Sequence, residues 1–228
     1  MSEGIFETIR VEDGQIFGLH RHHCRAKEAA AALGFEIPTE DHVRAATEEV
    51  ITKEDFPLAR LRLRFSRTGE LGIDYEPYVE PITPASLMVF DRRNPDFQLR
   101  FKEYPYKNYE ILELARGQGF DDAILVAPDD QVAETSMATL AVKIDGYWIT
   151  PPLNAGILNG VVRALCIESD LLKVRKILAS DLIHVESALL LSSLRNAQHV
   201  GSIAGRELTI DNQKRDEIHR LMEGFKGQ

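Results

Sequence analysis

The stretch from residue 122 to residue 152 constrains the fold of this chain more than any other. Three apolar runs, DAILVAP, QVAETSMATLAVKI and YWITPP, are separated by Pro128-Asp129-Asp130 and by Asp145-Gly146. Short apolar runs between such turn residues indicate β-strands. One carboxylate, Glu134, lies inside the second run, where an unpaired buried charge would be strongly destabilising. The stretch therefore predicts consecutive strands, one of which holds a carboxylate that needs a partner.

The first part of the chain mixes helical and strand patterns. GIFETIRVEDGQIFGLH alternates apolar and polar residues around Asp13-Gly14, which predicts a hairpin. HHCRAKEAAAALGF, which stops at Gly34, and TEDHVRAATEEVITKED, which opens at Thr39, have the spacing of helices. ARLRLRFSRTGELGIDYEPY predicts two strands joined by a turn, and SLMVF predicts one more strand.

A charged, proline-containing segment without periodicity, DRRNPDF at residues 91–97, predicts a linker. After it, LRFKEY, HVESALLLSS and VGSIAGREL predict strands, whereas NYEILELARG, VVRALCIESDLL and IDNQKRDEIHRLMEGF predict helices. Because strands and helices mix on both sides of the linker, we expect an α/β or α+β fold with two domains. The smaller domain would span residues 1–90 and the larger one residues 98–228.

Composition narrows the class of protein and of partner. The 228 residues carry a formal net charge of −9 and a pI near 5.3, which argues against nucleic acid or an anionic membrane as partner. The two cysteines, Cys24 and Cys166, form neither a disulfide framework nor a zinc motif, so a reducing compartment is expected. Since there is no signal-peptide pattern and no membrane-spanning apolar run, we expect a soluble, cytoplasmic protein.

The segment GILNGVVRALC has the pattern of an anion site, because a glycine-containing turn leads into an apolar helix. The first N–H groups of a helix have no intrahelical acceptor, and together with the helix dipole they suit phosphate. An ordinary junction between a loop and a helix has the same pattern. Ser192 and Ser193, at a predicted strand end, are likewise compatible with a phosphate contact or with a plain strand terminus.

The cluster HRHHCR contains His20, His22, His23 and Arg25. A metal site needs further ligands at helical or strand spacing, and without an HExxH motif or a cysteine partner we expect no metal here. A polar corner between a hairpin and a helix explains the cluster more simply. Arg25 remains a candidate phosphate partner, because a guanidinium can bind phosphate in a bidentate manner.

Two lysines, Lys102 in LRFKEY and Lys107 in YKNY, are candidate nucleophiles. Lysines are usually solvated, and that is the default for both. A lysine that is desolvated beside an acid and an aromatic hydroxyl loses proton affinity and can form a Schiff base. Arg60, Arg62 and Arg64 share one face of a predicted strand, and they form either a solvated face or a site for a substrate carboxylate.

Taken in order, these segments resemble the class IV aminotransferase family, the fold-type IV pyridoxal-phosphate enzymes, over nearly the whole chain. GIFETIRVEDG resembles the opening strand of the family, and His22 and Arg25 match its H-x-x-R helix. Residues 119–163 carry the most specific match: an acidic pair, an apolar strand, a turn, E-x-S, a hairpin, T-P and L-x-G-x-x-R. The resemblance implies a two-domain fold like that of D-amino-acid aminotransferases, with pyridoxal 5'-phosphate in the cleft between the domains.

The same resemblance implies a role for each residue that matches. Lys102 would attach the cofactor as a Schiff base and later move the α-proton of the substrate, and Glu134 would pair with the pyridine nitrogen. The groups that would hold the phosphate are Arg25, the backbone N–H groups of Val161 and Val162, and Ser193. Tyr109 would also contact the cofactor.

Three departures from the family pattern bear on these assignments. The neighbourhood of the lysine is KEYPYKNY, which makes Lys107 a second choice, although the interval to Asp121-Asp122 and to Glu134 favours Lys102. Thr139 stands five residues after the glutamate, where the family commonly has asparagine. The chain is also short for the family, which implies trimmed loops or a smaller N-terminal domain.

Among the activities of the family, the compact length and the FETIRVEDG opening favour 4-amino-4-deoxychorismate lyase, which releases 4-aminobenzoate, a folate precursor, and pyruvate. The alternative is a branched-chain or D-amino-acid aminotransferase, and a further alternative is a non-catalytic relative that binds pyridoxal phosphate. The expected substrate is a small molecule with an amino group. The resemblance also implies a homodimer.

Overall fold

The structure, a computed structural model, describes residues 3–91, 101–104 and 108–228. The strands are β1 (Gly4–Glu12), β2 (Gln15–Ile16), β3 (Leu58–Ser66), β4 (Leu71–Pro77), β5 (Ala85–Asp91), β6 (Glu103–Tyr104), β7 (Asp122–Val126), β8 (Val132–Thr135), β9 (Thr139–Ile144), β10 (Tyr147–Thr150), β11 (Lys173–Val174), β12 (Ser187–Ser192), β13 (Asn196–Ile203) and β14 (Arg206–Glu207). The helices are α1 (Leu19–Ala32), α2 (Glu40–Ile51), α3 (Asn108–Gly117), α4 (Val161–Glu168) and α5 (Asn212–Glu223). Short 3-10 helices span Leu153–Ala155 and Ala179–His184.

The chain divides into two compact units. Unit 1 comprises Met1–Glu80, Phe101–Tyr106 and Met222–Gln228, and unit 2 comprises Pro81–Arg100 and Lys107–Leu221. The units have other bounds than the two predicted domains, residues 1–90 and 98–228. The predicted domain bounds stay a prediction. Of the linker predicted at residues 91–97, only Asp91 lies among the described residues, where it ends β5.

Unit 1 is built on an antiparallel sheet in the order β2-β1-β3-β4, with β6 paired to β1. The predicted hairpin is confirmed: Asp13 and Gly14, both with positive φ, form the two-residue connection between Glu12 and Gln15. Alternate apolar residues of β1 and β3 form one core with α1 and α2, because successive side chains of a strand point to opposite faces. The buried members from the strands are Ile5, Ile9, Val11, Ala59, Leu61, Leu63 and Phe65.

Unit 2 is built on a mixed sheet in the order β11-β10-β9-β12-β13-β5-β7-β8, with β14 paired to β13. Strand β5, which holds the SLMVF segment, lies between β13 and β7 and is parallel to both. Strands β8 and β9 follow each other directly along the chain but stand far apart in the sheet order, so the sheet curls.

The prediction of one continuous strand at QVAETSMATLAVKI is wrong, since the structure has two strands there. The N–H of Thr135 donates to the carbonyl of Ala138 at 2.9 Å, which closes a tight turn between β8 and β9. The apolar pattern does not reveal this turn, because Thr135 and Ser136 are fully buried, as a residue inside a strand would be. The reversal instead depends on bonds to residues distant in sequence, which are described below.

Smaller differences concern the ends of elements. Helix α4 ends at Glu168 although the pattern continues to Leu172, because Asp170 takes a positive φ of 57° and the N–H of Leu171 bonds back to Cys166. No helix in the described ranges is long and apolar enough to cross a membrane.

Candidate functional site

Glu134, the carboxylate that the sequence places in an apolar strand, is buried in unit 2 at 4% exposure. The backbone N–H of Leu158 donates to its Oε2 at 3.3 Å. Leu158 lies two residues before Gly160, the N-cap of α4, so the carboxylate is bonded to the loop that leads into this helix. The location confirms that Glu134 is an interior charge and shows that a backbone donor holds it.

Arg163 is a second interior charge near Glu134, and the sequence reasoning missed it. It is buried at 3% exposure, and its Nη2 donates to the carbonyl of Pro151 at 2.7 Å. Burial lowers the pKa of Arg163 below its ordinary value, and the nearby carboxylate of Glu134 opposes that shift. The buried guanidinium of Arg163 and the buried carboxylate of Glu134 therefore influence each other electrostatically. The signal was available, since an arginine in the first turn of the apolar helix VVRALC also needs a counter-charge.

The turn between β8 and β9, which follows Glu134, is held by Asp122. Its Oδ2 accepts from the hydroxyl of Thr135 at 3.0 Å, and its Oδ1 accepts from the N–H of Ser136 at 3.1 Å and from the Ser136 hydroxyl. Asn108, the first residue of α3, donates from Nδ2 to the carbonyl of Ser136 at 3.2 Å. All four side chains are buried to 1% exposure or less. Of the predicted acidic pair, Asp122 thus belongs to the interior and Asp121 to the surface.

The anion site predicted at the start of α4 lies at a helix N-terminus, as the sequence pattern requires. Val161 and Val162 are the first residues of the helix, where backbone N–H groups have no intrahelical acceptor. A Cβ added to Gly160 would lie 2.8 Å from Oγ1 of Thr139, so glycine is needed for the close approach of the loop to β9. This approach brings the helix N-terminus against Thr139, which stands where the family that the sequence resembles commonly has asparagine.

Ser193 lies near the same corner of unit 2. It is half-buried in the turn between β12 and β13. Leu191, two residues earlier, pairs with Thr139 across the two strands. Thr139, the first residue of β9, is thus adjacent both to Gly160 and to the strand that leads to Ser193.

Arg25 belongs to a buried ionic cluster in unit 1 that the sequence did not predict. Its Nε donates to Oε1 of Glu7 at 2.9 Å, and its Nη2 contacts Oε2 of the same carboxylate. Nδ1 of His22 lies 2.7 Å from Oε2 of Glu7. Strand β1 supplies Glu7, and α1 supplies the other two residues one turn apart, so the cluster joins the helix to the sheet.

The charges of this cluster follow from burial and from the contacts. Burial would raise the pKa of Glu7, but the charge of Arg25 and the hydrogen bond from His22 prevail and hold it well below its usual range. Burial lowers the pKa of His22, and the carboxylate of Glu7 only partly opposes this shift. The cluster therefore joins the ionised carboxylate of Glu7 to the guanidinium of Arg25 and to Nδ1 of His22.

Lys102 also lies in unit 1, next to strand β1. Its carbonyl accepts from the N–H of Phe6 at 2.9 Å, and its Nζ is 5.4 Å from the centroid of the Phe6 ring. The side chain is half-buried, and its charge contributes to the lowered pKa of His22. Unit 1 thus brings Lys102 and Arg25 to the same histidine. Lys107, the second choice, lies outside the described residues.

Tyr109, the weaker candidate, is the second residue of α3 in unit 2, with 36% exposure. The side chain is therefore partly exposed to solvent. The preceding residue, Asn108, is part of the network around the β8–β9 turn.

The alternation predicted for the arginines of β3 is confirmed. Arg60 pairs with Glu76, and Nη2 of Arg64 donates to Asp74 at 2.9 Å. The guanidinium of Arg62 instead lies 5.2 Å from the centroid of the Phe6 ring, the ring that Lys102 also contacts. Arg60 and Arg64 are therefore paired with acidic residues of β4, whereas Arg62 shares the Phe6 ring with Lys102.

The remaining histidines of HRHHCR have local partners. Nδ1 of His20 is 2.7 Å from Glu40, and Nε2 of His23 is 2.8 Å from the carbonyl of Pro38. Among the residues that the structure describes, no group of three or more histidine, cysteine or acidic side chains could hold a metal ion.

In unit 2, the short segment from Leu158 to Val162 bonds to the buried carboxylate of Glu134 at its first residue and ends in the first N–H groups of helix α4. Such an arrangement suits a ligand with an anionic group at one end and a basic nitrogen at the other. Unit 1 supplies a half-buried amine and a guanidinium. An amine can form a Schiff base with an aldehyde, and a guanidinium can bind a phosphate group.

Comparison with known proteins agrees with this chemistry. The model of the amino-transferase class IV family matches residues 4–203. A Schizosaccharomyces pombe protein provisionally named as an aminodeoxychorismate lyase is 26% identical over 175 residues, which cover 72% of this chain and 73% of that protein. A Methanocaldococcus jannaschii protein provisionally named as a branched-chain-amino-acid aminotransferase is 27% identical over 186 residues, which cover 73% and 65% of the two chains.

Among solved structures, the fold is similar to that of a hypothetical aminotransferase from Mycobacterium tuberculosis in its PLP-bound form. The TM-score is 0.85 at 23% identity, with 97% of this chain and 89% of that chain covered. This similarity confirms the predicted fold class, a mixed α and β fold of the kind found in fold-type IV aminotransferases.

Proposed function

Since this chain belongs to the class IV aminotransferases, a family of pyridoxal 5'-phosphate-dependent enzymes, we propose that it is a 4-amino-4-deoxychorismate lyase. Such an enzyme converts aminodeoxychorismate to 4-aminobenzoate and pyruvate. The observation that carries the proposal of cofactor chemistry is Glu134, a buried carboxylate bonded to the loop that opens α4. The choice of the lyase within the family is supported by the relative of that name.

When bound, pyridoxal 5'-phosphate supplies the electron sink for bonds broken at the α-carbon of the substrate. Glu134 would place a negative charge near the ring nitrogen and so raise the proton affinity of that nitrogen. Lys102 would hold the cofactor covalently and move a proton to or from the α-carbon of the substrate. Arg25, the N–H groups of Val161 and Val162, and Ser193 would hold the phosphate, with Tyr109 as a further contact to the cofactor.

Arg25 would serve two anions in this arrangement, because its guanidinium already contacts Glu7. A guanidinium has five N–H donors, so bonds to one carboxylate leave capacity for a phosphate oxygen. In the proposed arrangement the helix start and Ser193 would supply further donors, so that an acidic protein could bind an anionic cofactor.

The assignment of the lysine is tested by borohydride reduction of the protein with pyridoxal 5'-phosphate, followed by mass spectrometry of its peptides. We expect the reduced cofactor on Lys102 and its loss from a Lys102→Ala variant, with Lys107→Ala as the matched control. Labelling of Lys107 in the wild type would move the role to that residue. A protein that takes up no cofactor would instead support a structural role for Glu134.

The reaction is tested by adding aminodeoxychorismate without any 2-oxo acid. Release of pyruvate and 4-aminobenzoate is the expected result. The second candidate, a branched-chain or D-amino-acid aminotransferase, is favoured by the relative named for the branched-chain activity, and it predicts turnover only after a 2-oxo acid is added. A protein that binds the cofactor but is inactive in both assays would be the non-catalytic relative.

We also propose that the enzyme is a cytoplasmic homodimer that acts on a small amino-group substrate. Analytical ultracentrifugation over a range of concentrations should give the mass of two chains of 25.7 kDa each. A monomer at every concentration would contradict the dimer without affecting the proposed chemistry.

A further inference from the structure

Asp122 is the most completely buried carboxylate of unit 2 to which the proposed function gives no role. It is 1% exposed at the first position of β7. Its backbone neighbour, Ala123, donates an N–H to Oδ1 at 2.7 Å, which fixes the carboxylate relative to its own strand. Its other bonds all go to the turn that follows Glu134.

These bonds hold Thr135 and Ser136, the two residues directly after Glu134. Thr135 bonds to Oδ2 through its hydroxyl, and Ser136 bonds to Oδ1 through its N–H and its hydroxyl. The Thr135 hydroxyl also accepts from the N–H of Ala138 at 3.0 Å, so the same side chain closes the turn. Asp122 thus fixes the backbone within one or two residues of Glu134.

The pairing of β7 with β8 explains why Glu134 depends on such support. Val126 pairs with Val132 and Ile124 pairs with Thr135, so two residues of β8, Ala133 and Glu134, oppose one residue of β7. An extra residue in one strand is a β-bulge, which re-aims a side chain and leaves the ladder locally incomplete. The direction of Glu134 is therefore set by groups outside the ladder: Asp122 on the turn side, and the N–H of Leu158 on the side-chain side.

We propose that Asp122 is a positioning residue that aims Glu134 at the ring nitrogen of the cofactor. This inference deepens the proposed function and rests on the role assigned there to Glu134. Asp122 itself touches neither cofactor nor substrate; it acts through the turn at Thr135 and Ser136. A carboxylate suits this task because it can accept four hydrogen bonds and donates none, whereas asparagine offers only one acceptor oxygen.

The test compares the binding of pyridoxal 5'-phosphate with that of its 1-deaza analogue, in which a C–H group replaces the ring nitrogen. A hydrogen bond between charged groups makes the wild type prefer the natural cofactor by on the order of tenfold to a hundredfold. The ratio of the two affinities reports the contact of Glu134 alone, because losses in folding or in phosphate binding affect both ligands equally. Asp122→Asn should lower this ratio at least about fivefold, since displacement of a charged group by a fraction of an ångström weakens its hydrogen bond.

Asp121→Asn is the matched control, because it makes the same substitution at the neighbouring residue. Asp121 is exposed and accepts from the N–H of Ser86 at 2.7 Å and from its hydroxyl at 2.8 Å, away from the turn after Glu134. We expect this variant to keep the wild-type ratio. In a Glu134→Gln background, Asp122→Asn should produce no further change, since the residue acts through Glu134.

Thr135 provides a second route if Asp122→Asn fails to fold. Thr135→Val removes the hydroxyl that bonds to Asp122 and should lower the ratio, whereas Thr135→Ser keeps the hydroxyl and should restore it. Equal ratios in Asp122→Asn, Thr135→Val and the Asp121→Asn control would overturn the inference and leave the proposed function intact. A wild type that does not discriminate between the two ligands would instead overturn the role of Glu134, and this inference with it.

Discussion

Glu7 in unit 1 and Glu134 in unit 2 are buried to nearly the same degree, with 3% and 4% exposure, but they are held in different ways. Glu7 is contacted by two side chains, the guanidinium of Arg25 and the imidazole of His22. Glu134 is held by the backbone N–H of Leu158 and by the field of Arg163, whose own hydrogen bond goes to Pro151.

One chain thus uses the same residue type, a buried glutamate, for two purposes. A carboxylate neutralised by side chains of neighbouring elements joins those elements, and its removal leaves buried donors without their acceptor. A hydrogen bond from a neutral backbone N–H does not neutralise a carboxylate, which can therefore still attract a cationic ligand group. We therefore expect Glu7 to matter most for stability and Glu134 most for chemistry.

The largest expected effect is on the stability of unit 1. Glu7→Gln should lower the free energy of unfolding by about 3–5 kcal/mol, because the largely buried guanidinium of Arg25 loses its counter-charge. Glu134→Gln should lower it less, by about 1–3 kcal/mol, since the amide oxygen still accepts from Leu158 and Arg163 keeps its bond to Pro151. Urea denaturation of the cofactor-free variants measures both values. Equal losses would show that the two carboxylates do not differ in their importance for stability.

The next effect is on catalysis. Glu134→Gln should reduce kcat by roughly 100-fold to 1000-fold, the magnitude found when one preorganised electrostatic group is removed from an active site. The affinity for pyridoxal 5'-phosphate should fall much less, because the phosphate contacts remain. Steady-state kinetics and a fluorescence titration separate the two effects. A variant with wild-type kcat would make Glu134 an ordinary structural residue.

The ionic cluster of unit 1 should also make stability depend on pH. The folded-state pKa values of Glu7 and His22 are both lowered, so the unfolded chain binds more protons than the folded chain. Their contribution to stability is present above the unfolded values, 4.5 and 6.5, and is lost as pH falls through the folded ones. Each group can contribute at most about 1.4 kcal/mol per pH unit.

Urea midpoints between pH 7 and pH 4 test this dependence. The wild type should lose stability first below the unfolded value of His22 and more steeply below that of Glu7. Glu7→Gln should remove the steeper part of the curve. A variant curve parallel to that of the wild type would show that other carboxylates cause the acid sensitivity.

The smallest effect concerns the approach of the α4 loop to β9. Gly160→Ala should cost about 1–3 kcal/mol and weaken cofactor binding, because the new Cβ would meet Oγ1 of Thr139 at 2.8 Å. Thr139→Ala in the same background should recover most of the loss. Gly117→Ala is the control, since no heavy atom lies within 4 Å of its added Cβ. Failure of the double variant to recover would assign the effect to the backbone rather than to the contact.

Much of the fold could be predicted because it depends on local periodicity. The Asp13-Gly14 hairpin, the alternation of arginines along β3 and the two helices of the first part all follow from spacing within a few residues. The split between β8 and β9 could not be predicted, because the reversal there depends on Asp122, a residue more than ten positions earlier in the chain.

The candidate site shows the same division. The positions of Glu134 in a strand and of Val161 at a helix start were predicted, and the structure has both. Arg163 and Glu7 were missed, because each makes its bonds to residues that local patterns do not connect to it. The roles proposed for Lys102, Ser193 and Tyr109 stay predictions, since they depend on the resemblance to the family.

The sequence by itself determined which segments form strands, helices and turns, and which residue types are available for phosphate, amine and carboxylate chemistry. These properties depend on backbone preferences and on side-chain periodicity, which act over a few residues. Only the tertiary structure decided that Asp122 lies inside and Asp121 outside, that Arg163 compensates Glu134, and that Glu7 is committed to Arg25 and His22. Hydrogen bonds and charges act through space, so the partners of a buried carboxylate are known only when distant segments have been brought together.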